Sequence, residues 1–300
     1  MNQKIIVTLM EKELQRRMGK GYEFRLQDIW KFNDIGYTGM TVNKEGCHVS
    51  PVYNFGRYAE RITAGERIET VVDEIITDFE GSQRELREDY GLFDDFSRIE
   101  KRIRFKFCKK EWNTHYIKDK AYRDFLDFAV LYYLDVRDMF PGQEGYAEIM
   151  ITEDYLVQWG VSEEEVFQAA FNNLSGRDLF QVFPMDGLLN KLTGNEMEEE
   201  VPKSIEMYIL TDWSGENYGA SAFFAPKLLK KAAVLADGSY YILPSSISEL
   251  IVVPERIAPS AEELGSIVRD VNQCTVKRKE QLSDHVYHYD AATGHVKIAK

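Results

Sequence analysis

The sequence predicts an α+β protein in which mixed or antiparallel sheets pack against helices in two lobes. Three observations predict this class. Apolar residues recur at helical spacing in several segments, and short runs typical of strands lie between them. The two kinds of segment do not follow a regular βαβ alternation. With 300 residues, of which 44% are hydrophobic, the chain is long enough to bury a full core.

Apolar periodicity predicts the elements of the first hundred residues. Residues 3–18 carry apolar side chains at helical spacing, and Gly19 follows them. Residues 66–80 give the clearest pattern, because one apolar stripe runs along the helix and acidic residues lie outside it. Strands are predicted at residues 40–42 and 49–53, on either side of a turn.

A basic strand is predicted at residues 102–107. Arg102, Arg104 and Lys106 alternate with apolar residues, a pattern typical of a half-buried strand with a basic outer face. Seven basic residues lie between positions 98 and 110. We interpret them as a solvated strand face, with anion binding as the alternative. Residues 125–136 are apolar and aromatic, which favours a buried strand over a helix.

Turn and capping residues predict the remaining elements. A turn cluster at residues 141–145 predicts a lobe boundary, with an N-terminal lobe over 1–145 and a C-terminal lobe over 146–300. One continuous domain is the alternative, and residues 194–203 predict a linker. Helices are predicted after the S-x-x-E capping boxes at 162–165 and 260–263 and at Pro226. Strands are predicted at 146–152, 207–210, 240–243 and 250–253, and a hairpin at 286–298.

Composition limits the partners. The chain carries 37 basic and 50 acidic residues, a formal net charge of −13. Nucleic-acid binding is therefore not expected, because phosphate backbones attract a surplus of Lys and Arg. The N-terminus lacks the pattern of a signal peptide, and no apolar run reaches the roughly 18 residues of a membrane span. We expect a cytoplasmic protein that does not bind membranes.

The candidate catalytic residues are Ser245, Ser246, Glu249 and His285. The two serines lie in a tight turn between predicted strands, and a nucleophilic serine needs a base such as His285 within hydrogen-bond reach. The competing interpretation is that these serines bond their own backbone. His285 and His288 have a metal-like spacing, but positions three apart on a strand point to opposite faces. No metal site is therefore predicted.

The candidate ligand-binding residues are Tyr53, Arg57, Tyr58 and Gly219. The first three form an aromatic and basic stretch, and Tyr and Arg are favoured at interfaces. The alternative is that this stretch belongs to the edge of the core. Gly219 belongs to a predicted turn beside the cleft of the candidate catalytic residues. No phosphate-binding loop is present, and no cofactor is predicted.

Characteristic segments are spread over nearly the whole chain. They include Ser50-Pro51-Val52-Tyr53, Asp127-Phe128-Ala129-Val130, Ala170 with Asn173, Gly219-Ala220, Leu243-Pro244-Ser245-Ser246-Ile247 and Leu282-Ser283-Asp284-His285-Val286-Tyr287. On these segments the chain resembles a family of proteins from anaerobic gut Firmicutes that is known only as a domain of unknown function. Family members often have His where this chain has Ser248, and Asn where it has Asp212. The resemblance implies one architecture, and it implies neither a reaction nor a cofactor.

Together, these features favour a non-catalytic binding or regulatory protein with a protein or small-molecule partner. The alternative is a hydrolase that uses Ser245 or Ser246 with Glu249 and His285. The third hypothesis is a nucleic-acid accessory protein that uses Arg102, Arg104 and Lys106. The sequence does not predict the oligomeric state.

Overall fold

The computed structural model describes residues 3–19, 21–44, 52–85, 93–139, 148–175, 180–185, 206–212 and 218–300. Within these ranges the chain forms eight α-helices and three antiparallel sheets. The predicted α+β class is therefore confirmed. The chain divides into two compact units, Met1–Asp95 and Phe96–Lys300.

The first unit packs three helices and a three-stranded sheet around one core. The helices are α1 (Gln3–Met18), α2 (Phe55–Thr63) and α3 (Ile68–Glu85), and the strands, in sheet order, are β1 (Tyr22–Lys31), β2 (Ile35–Lys44) and β3 (Val52–Asn54). The core joins Ile6, Met10 and Leu14 of α1 to the apolar stripe of α3. Both helices were predicted from this periodicity, and both are confirmed.

The second unit begins with a sheet built around one buried strand. After the short helix α4 (Phe96–Ile99), the chain forms β4 (Ile103–Lys109), β5 (Tyr122–Phe125), β6 (Phe128–Asp135) and β7 (Glu148–Met150). Strand β6 lies between β4 on one side and β5 and β7 on the other. The helices α5 (Glu153–Trp159) and α6 (Glu163–Ser175) follow, and the predicted capping box opens α6.

The second sheet of this unit has six strands, in the order β13-β12-β10-β11-β9-β8. These strands are β8 (Phe180–Pro184), β9 (Tyr208–Asp212), β10 (Tyr240–Leu243), β11 (Glu249–Pro254), β12 (Tyr287–Asp290) and β13 (His295–Ile298), and the helices α7 (Pro226–Ala236) and α8 (Ala261–Cys274) accompany them. Aromatic rings connect the two sheets. Phe128 of β6 stacks on Tyr287 of β12 with ring centroids 5.2 Å apart, and Phe223 packs against both.

The prediction that β4 has a solvated basic face is wrong. All seven residues of β4 are buried, and only 7% of Arg104 and 6% of Lys106 are exposed. Lys106 forms an ion pair with Glu148 of β7, and its Nζ lies 4.8 Å from the ring centroid of Tyr218. The charge is tolerated because it is paired within the protein, which the alternation of the strand alone does not indicate.

The division into units differs from the predicted lobe boundary at 145/146. Strand β6 lies before that boundary and β7 lies after it, yet the two strands pair in one sheet. The predicted lobes stay a prediction. The turn cluster at 141–145 and the linker at 194–203 lie outside the described residues. Within the ranges described, no helix combines the length and the apolar character that crossing a membrane requires.

Candidate functional site

The turn after β10 holds the two candidate serines. Ser245 Oγ donates a hydrogen bond to Glu249 Oε1 over 3.2 Å. Ser246 Oγ accepts one from the backbone N–H of Ser248 over 3.1 Å. The structure thus brings Ser245 and Glu249 together, and Ser246 makes the local backbone bond common for serines in turns.

Gly219 packs against this turn. It opens a 3-10 segment, Gly219–Phe224, and a Cβ atom built on it would lie 1.9 Å from the carbonyl oxygen of Ser248. Its neighbour Ala220 donates its backbone N–H to the carbonyl of Ile247 over 3.3 Å. Only glycine permits so close an approach of two backbone segments. Gly219 therefore fixes the serine turn, and its role in ligand binding stays a prediction.

His285 has a different partner from the one predicted. Its Nδ1 lies 2.9 Å from Asp127 Oδ2, and 45% of the His285 side chain is exposed. Among the described residues, no hydrogen bond joins His285 to Ser245 or Glu249. The structure therefore pairs Ser245 with Glu249, leaves Ser246 bonded to the local backbone, and pairs His285 with Asp127, which was not a candidate. Their catalytic roles stay predictions.

Asp127 is the centre of a hydrogen-bonded cluster that we call the Asp127 cluster: Asp127, Ser283, His285 and Tyr287. Tyr287 Oη donates to Asp127 Oδ1 over 2.8 Å, and Ser283 Oγ donates to Oδ2 over 3.3 Å. Ser283 and Tyr287 are fully buried. Burial and then the nearby carboxylate of Asp127 hold the pKa of Tyr287 well above its usual range, so its hydroxyl remains a donor.

Local backbone structure positions the Asp127 cluster. Asp127 lies in the tight turn between β5 and β6, where Leu126 adopts a left-handed φ of 54°. Opposite it, Asn272 of α8 donates to the carbonyl of Ser283 over 3.0 Å and to Asp284 Oδ1 over 2.7 Å. The cluster thus joins the turn of one sheet to the segment that precedes β12.

The pairing of His285 with a carboxylate defines what its ring can do. A carboxylate beside Nδ1 favours the tautomer in which Nδ1 carries the proton and Nε2 is free to accept one. This is the arrangement of a general base. Sequence analysis missed Asp127 as a partner because it lies 158 positions away along the chain. The sequence feature that could have drawn attention to Asp127 is its position in the characteristic segment Asp127-Phe128-Ala129-Val130.

The aromatic and basic candidates lie in the first unit. Tyr53 is buried in the core, where its hydroxyl donates to the carbonyl of Ile75 over 3.4 Å. Burial, with smaller contributions from neighbouring charges, raises the pKa of Tyr53. Tyr58 is half-buried, and Arg57 is exposed at the start of α2. These positions fit the alternative of a core edge, and a role in ligand binding stays a prediction.

The second unit contains a groove of about 650 Å³ with a basic lining, which we call the basic groove. It is lined by Arg98, Lys101, Arg102, Arg104, Asp135, Arg137 and Asp138. Because β4 and β6 are antiparallel, the residues before β4 lie beside the residues after β6. This arrangement gathers basic residues that are up to 39 positions apart in the sequence.

Two arginines of the basic groove are held by carboxylates. Arg102 binds Asp138 through two hydrogen bonds of 2.6 and 2.8 Å, and Arg137 binds Asp135 through two of 2.9 and 2.8 Å. Burial alone would raise the pKa of Asp135, but the hydrogen bonds from Arg137 outweigh it and lower that pKa. The carboxylate of Asp135 therefore stays charged, and both carboxylates hold their guanidinium groups in place.

Asn173 of α6 fixes the turn that carries Lys101 and Arg102. Its Nδ2 donates to the carbonyl of Glu100 over 2.7 Å and to that of Ile103 over 3.0 Å. These carbonyls lie at the start of β4, next to the basic groove. Asn173 thus supports the groove from outside it. Its place in a characteristic segment is consistent with this structural role.

The described residues contain no group of three or more His, Cys, Asp or Glu side chains arranged to hold a metal ion. His285 and His288 have separate neighbours: His285 binds Asp127, and His288 Nε2 lies 3.3 Å from Glu255.

A comparison with known protein families identifies the family to which the chain belongs. The profile described as a family of unknown function, DUF5688, matches residues 5–291. The chain belongs to this family. The DUF5688 match spans the serine turn, the Asp127 cluster and the basic groove, and it confirms the family resemblance predicted from the sequence. The attribution to gut Firmicutes stays a prediction. No curated protein and no solved structure shows significant similarity to the chain.

Proposed function

We propose that the protein is a binding protein whose basic groove holds a small phosphate-bearing anion. The observation that carries this proposal is the lining of the groove, where five basic side chains face two acidic ones, a formal excess of three positive charges. This excess stands out on a chain whose net charge is −13. A concave, locally positive site attracts anions even on an acidic protein.

The chemistry of the lining favours phosphate. Guanidinium groups present pairs of N–H donors that match two phosphate oxygens, and four of the five basic residues are arginines. Arg102 and Arg137 are already oriented by Asp138 and Asp135, so a ligand would not have to order them. Arg98 and Lys101 are exposed to solvent at the groove.

The charge of the whole chain favours a small ligand over a nucleic acid. A long polyanion would extend beyond the groove over a protein whose net charge is −13, whereas a small anion meets only the lining. A volume of about 650 Å³ is in the range of pockets that hold small molecules.

Isothermal titration calorimetry with pyrophosphate tests the proposal. We expect one saturable site whose affinity falls as the salt concentration rises. The double variant R98Q/K101Q should weaken binding at least tenfold, because it removes the two exposed cations of the groove. The matched control K118Q/K230Q also removes two positive charges from exposed lysines outside the groove, and it should bind as the unmodified protein does.

Two outcomes would overturn the proposal. Equal weakening in both double variants would mean that pyrophosphate senses only the net charge. Binding of a single-stranded 20-mer of RNA or DNA without binding of pyrophosphate would favour the nucleic-acid hypothesis instead.

A second candidate function is hydrolysis with His285 as general base. The observation that favours it is the contact of 2.9 Å between His285 Nδ1 and Asp127, on a ring that is partly open to solvent. Asp127 then orients the ring of His285, whereas the sequence had grouped Glu249 with that histidine. The serine turn is not required, since a water molecule can supply the nucleophile.

We also propose the cytoplasm as the site of this function. Cys274 is an exposed free thiol and Cys108 a buried one. Exposed free thiols are typical of reducing compartments, which supports the location expected from the sequence.

A further inference from the structure

A largely buried imidazole, that of His288, lies in the six-stranded sheet, on the opposite face of β12 from Tyr287. His288 sits in the middle of β12, opposite Tyr241 of β10 and Lys297 of β13. Only 13% of its side chain is exposed. Its ring packs edge-on against Tyr241, with centroids 5.2 Å apart. The sheet therefore fixes the ring between two neighbouring strands.

Neither nitrogen of this ring makes a hydrogen bond within the described part of the chain. Nε2 lies 3.3 Å from Glu255 Oε2, close enough for ionic attraction but without hydrogen-bond geometry. Buried polar atoms without a partner cost free energy and are rare in folded proteins. Both nitrogens are closed to solvent, so another molecule can complete this hydrogen bonding once the exposed Glu255 side chain beside Nε2 turns aside.

The imidazole lines a cavity of about 430 Å³. Its lining includes one acidic residue, Glu255, and two basic residues, Lys297 and Lys300. The lining also includes Tyr241 and Ala299, which pack against one apolar cluster. The cavity thus combines an anionic group, two cationic groups, a hydrogen-bonding imidazole and an apolar surface within the volume of a small-molecule pocket.

We propose that this cavity binds a free amino acid or a similar small zwitterion. The amino group would pair with the Glu255 carboxylate, drawing it away from His288 and opening Nε2 to the ligand, and the carboxylate of the ligand would face Lys297 and Lys300. An apolar side chain would contact Tyr241 and Ala299. Each charged group of the cavity then meets its opposite, and an imidazole nitrogen gains a hydrogen-bond partner. This site is separate from the basic groove, and its test does not depend on the proposed phosphate ligand.

The test is an NMR titration of the full chain labelled with ¹⁵N and ¹³C at histidine. L-leucine is the probe, and its matched analogues are 4-methylpentanoate, which lacks the amino group, and 3-methylbutylamine, which lacks the carboxylate. We expect L-leucine to shift the ring signals of His288 in a saturable way. Each analogue should bind at least tenfold more weakly, because it leaves the acidic or the basic residues of the lining unpaired.

Variants separate recognition from changes in folding. E255Q and K297Q alter exposed side chains, so the fold should persist, and each should weaken L-leucine binding at least tenfold. H295Q changes an exposed histidine on the adjacent strand and should leave binding unchanged. Unshifted His288 signals with L-leucine, or equal shifts with all three compounds, would overturn the proposal. Full binding in both E255Q and K297Q would do the same.

Discussion

At the scale of single residues, the Asp127 cluster can have a structural or a catalytic role, and the contacts of Asp127 show how to distinguish the two. Its carboxylate accepts hydrogen bonds from two buried hydroxyl groups, those of Ser283 and Tyr287, and faces the partly exposed ring of His285. The hydroxyl groups need the carboxylate for stability, because a buried donor without an acceptor pays its desolvation cost. The ring of His285 needs it only for orientation. A structural role therefore predicts that substitution of Asp127 lowers stability, and a catalytic role predicts that substitution of His285 lowers activity.

We expect D127N to lower the free energy of unfolding by about 1–3 kcal/mol, because Tyr287 and Ser283 lose a charged acceptor. H285Q should change it by less than about 0.5 kcal/mol, since the ring is close to the surface. Urea denaturation of the two variants measures both values. Equal losses would show that His285 contributes as much to stability as Asp127 does.

The same variants test the hydrolase candidate. If His285 is a general base, H285Q abolishes turnover of p-nitrophenyl acetate while the protein stays folded, and H295Q, at an exposed histidine, does not. A rate that is equal in H285Q and H295Q would remove the candidate.

The distance along the chain between contacting residues explains why the site was only partly predicted from the sequence. Ser245 and Glu249 are four positions apart, and their contact could be predicted from the sequence. Asp127 and His285 are 158 positions apart, and Lys106 and Glu148 are 42 apart. Such contacts depend on which strands pair, and the residue types alone do not indicate that pairing. Prediction therefore found one member of each long-range pair.

At the scale of elements, helices were more predictable than strands. The stripes of α1 and α3 repeat over several turns, and the boxes at Ser162 and Ser260 mark helix starts. Strand β4 shows what the pattern does not predict. Its alternation correctly indicates a strand, but it does not indicate that the basic side of this strand is buried. That side is covered by Glu148 and Tyr218, which come from distant segments. Strand β1 was missed, although Tyr22, Phe24 and Leu26 alternate with polar residues.

The N-terminus of α8 offers a test of capping at this scale. Ser260 Oγ accepts from the backbone N–H of Glu263 over 3.2 Å, and Glu263 Oε2 accepts from that of Ser260 over 3.0 Å. We expect S260A to lower the free energy of unfolding by about 1 kcal/mol at pH 7. The control S266A, within the same helix, should be neutral or slightly stabilising, because alanine is the better helix former. Equal losses in both variants would contradict the capping role.

The capping effect should also depend on pH. The backbone and side-chain hydrogen bonds from Ser260 lower the pKa of Glu263 in the folded protein. Its contribution is therefore complete above the usual glutamate pKa and is lost as the pH falls through the lowered one. The difference between S260A and the unmodified protein should shrink over that acidic range. A difference that is constant down to pH 2 would mean that the Glu263 carboxylate takes no part.

At the scale of the whole molecule, the two units have separate cores. One core draws all its buried residues from positions 6–79, and another draws its members from positions 243–286. The strands β4 and β6 belong to the second unit, where their aromatic residues pack against Tyr287 and Phe223. This packing makes the boundary near residue 95 the physically favoured one, whereas the turn signals of the sequence favoured residue 145.

Two fragments compare these boundaries. We expect the fragment 96–300 to unfold cooperatively on heating, with the near-UV circular dichroism of packed aromatic rings, because it keeps both sheets and the rings between them. The fragment 146–300 loses β4, β5 and β6, so β7 has no partner strand and the rings of Tyr287 and Phe223 lose Phe128. Exposed aromatic surface and an unpaired strand edge should make it aggregate or remain unfolded. A cooperative transition in 146–300 would instead support the lobe boundary at 145/146.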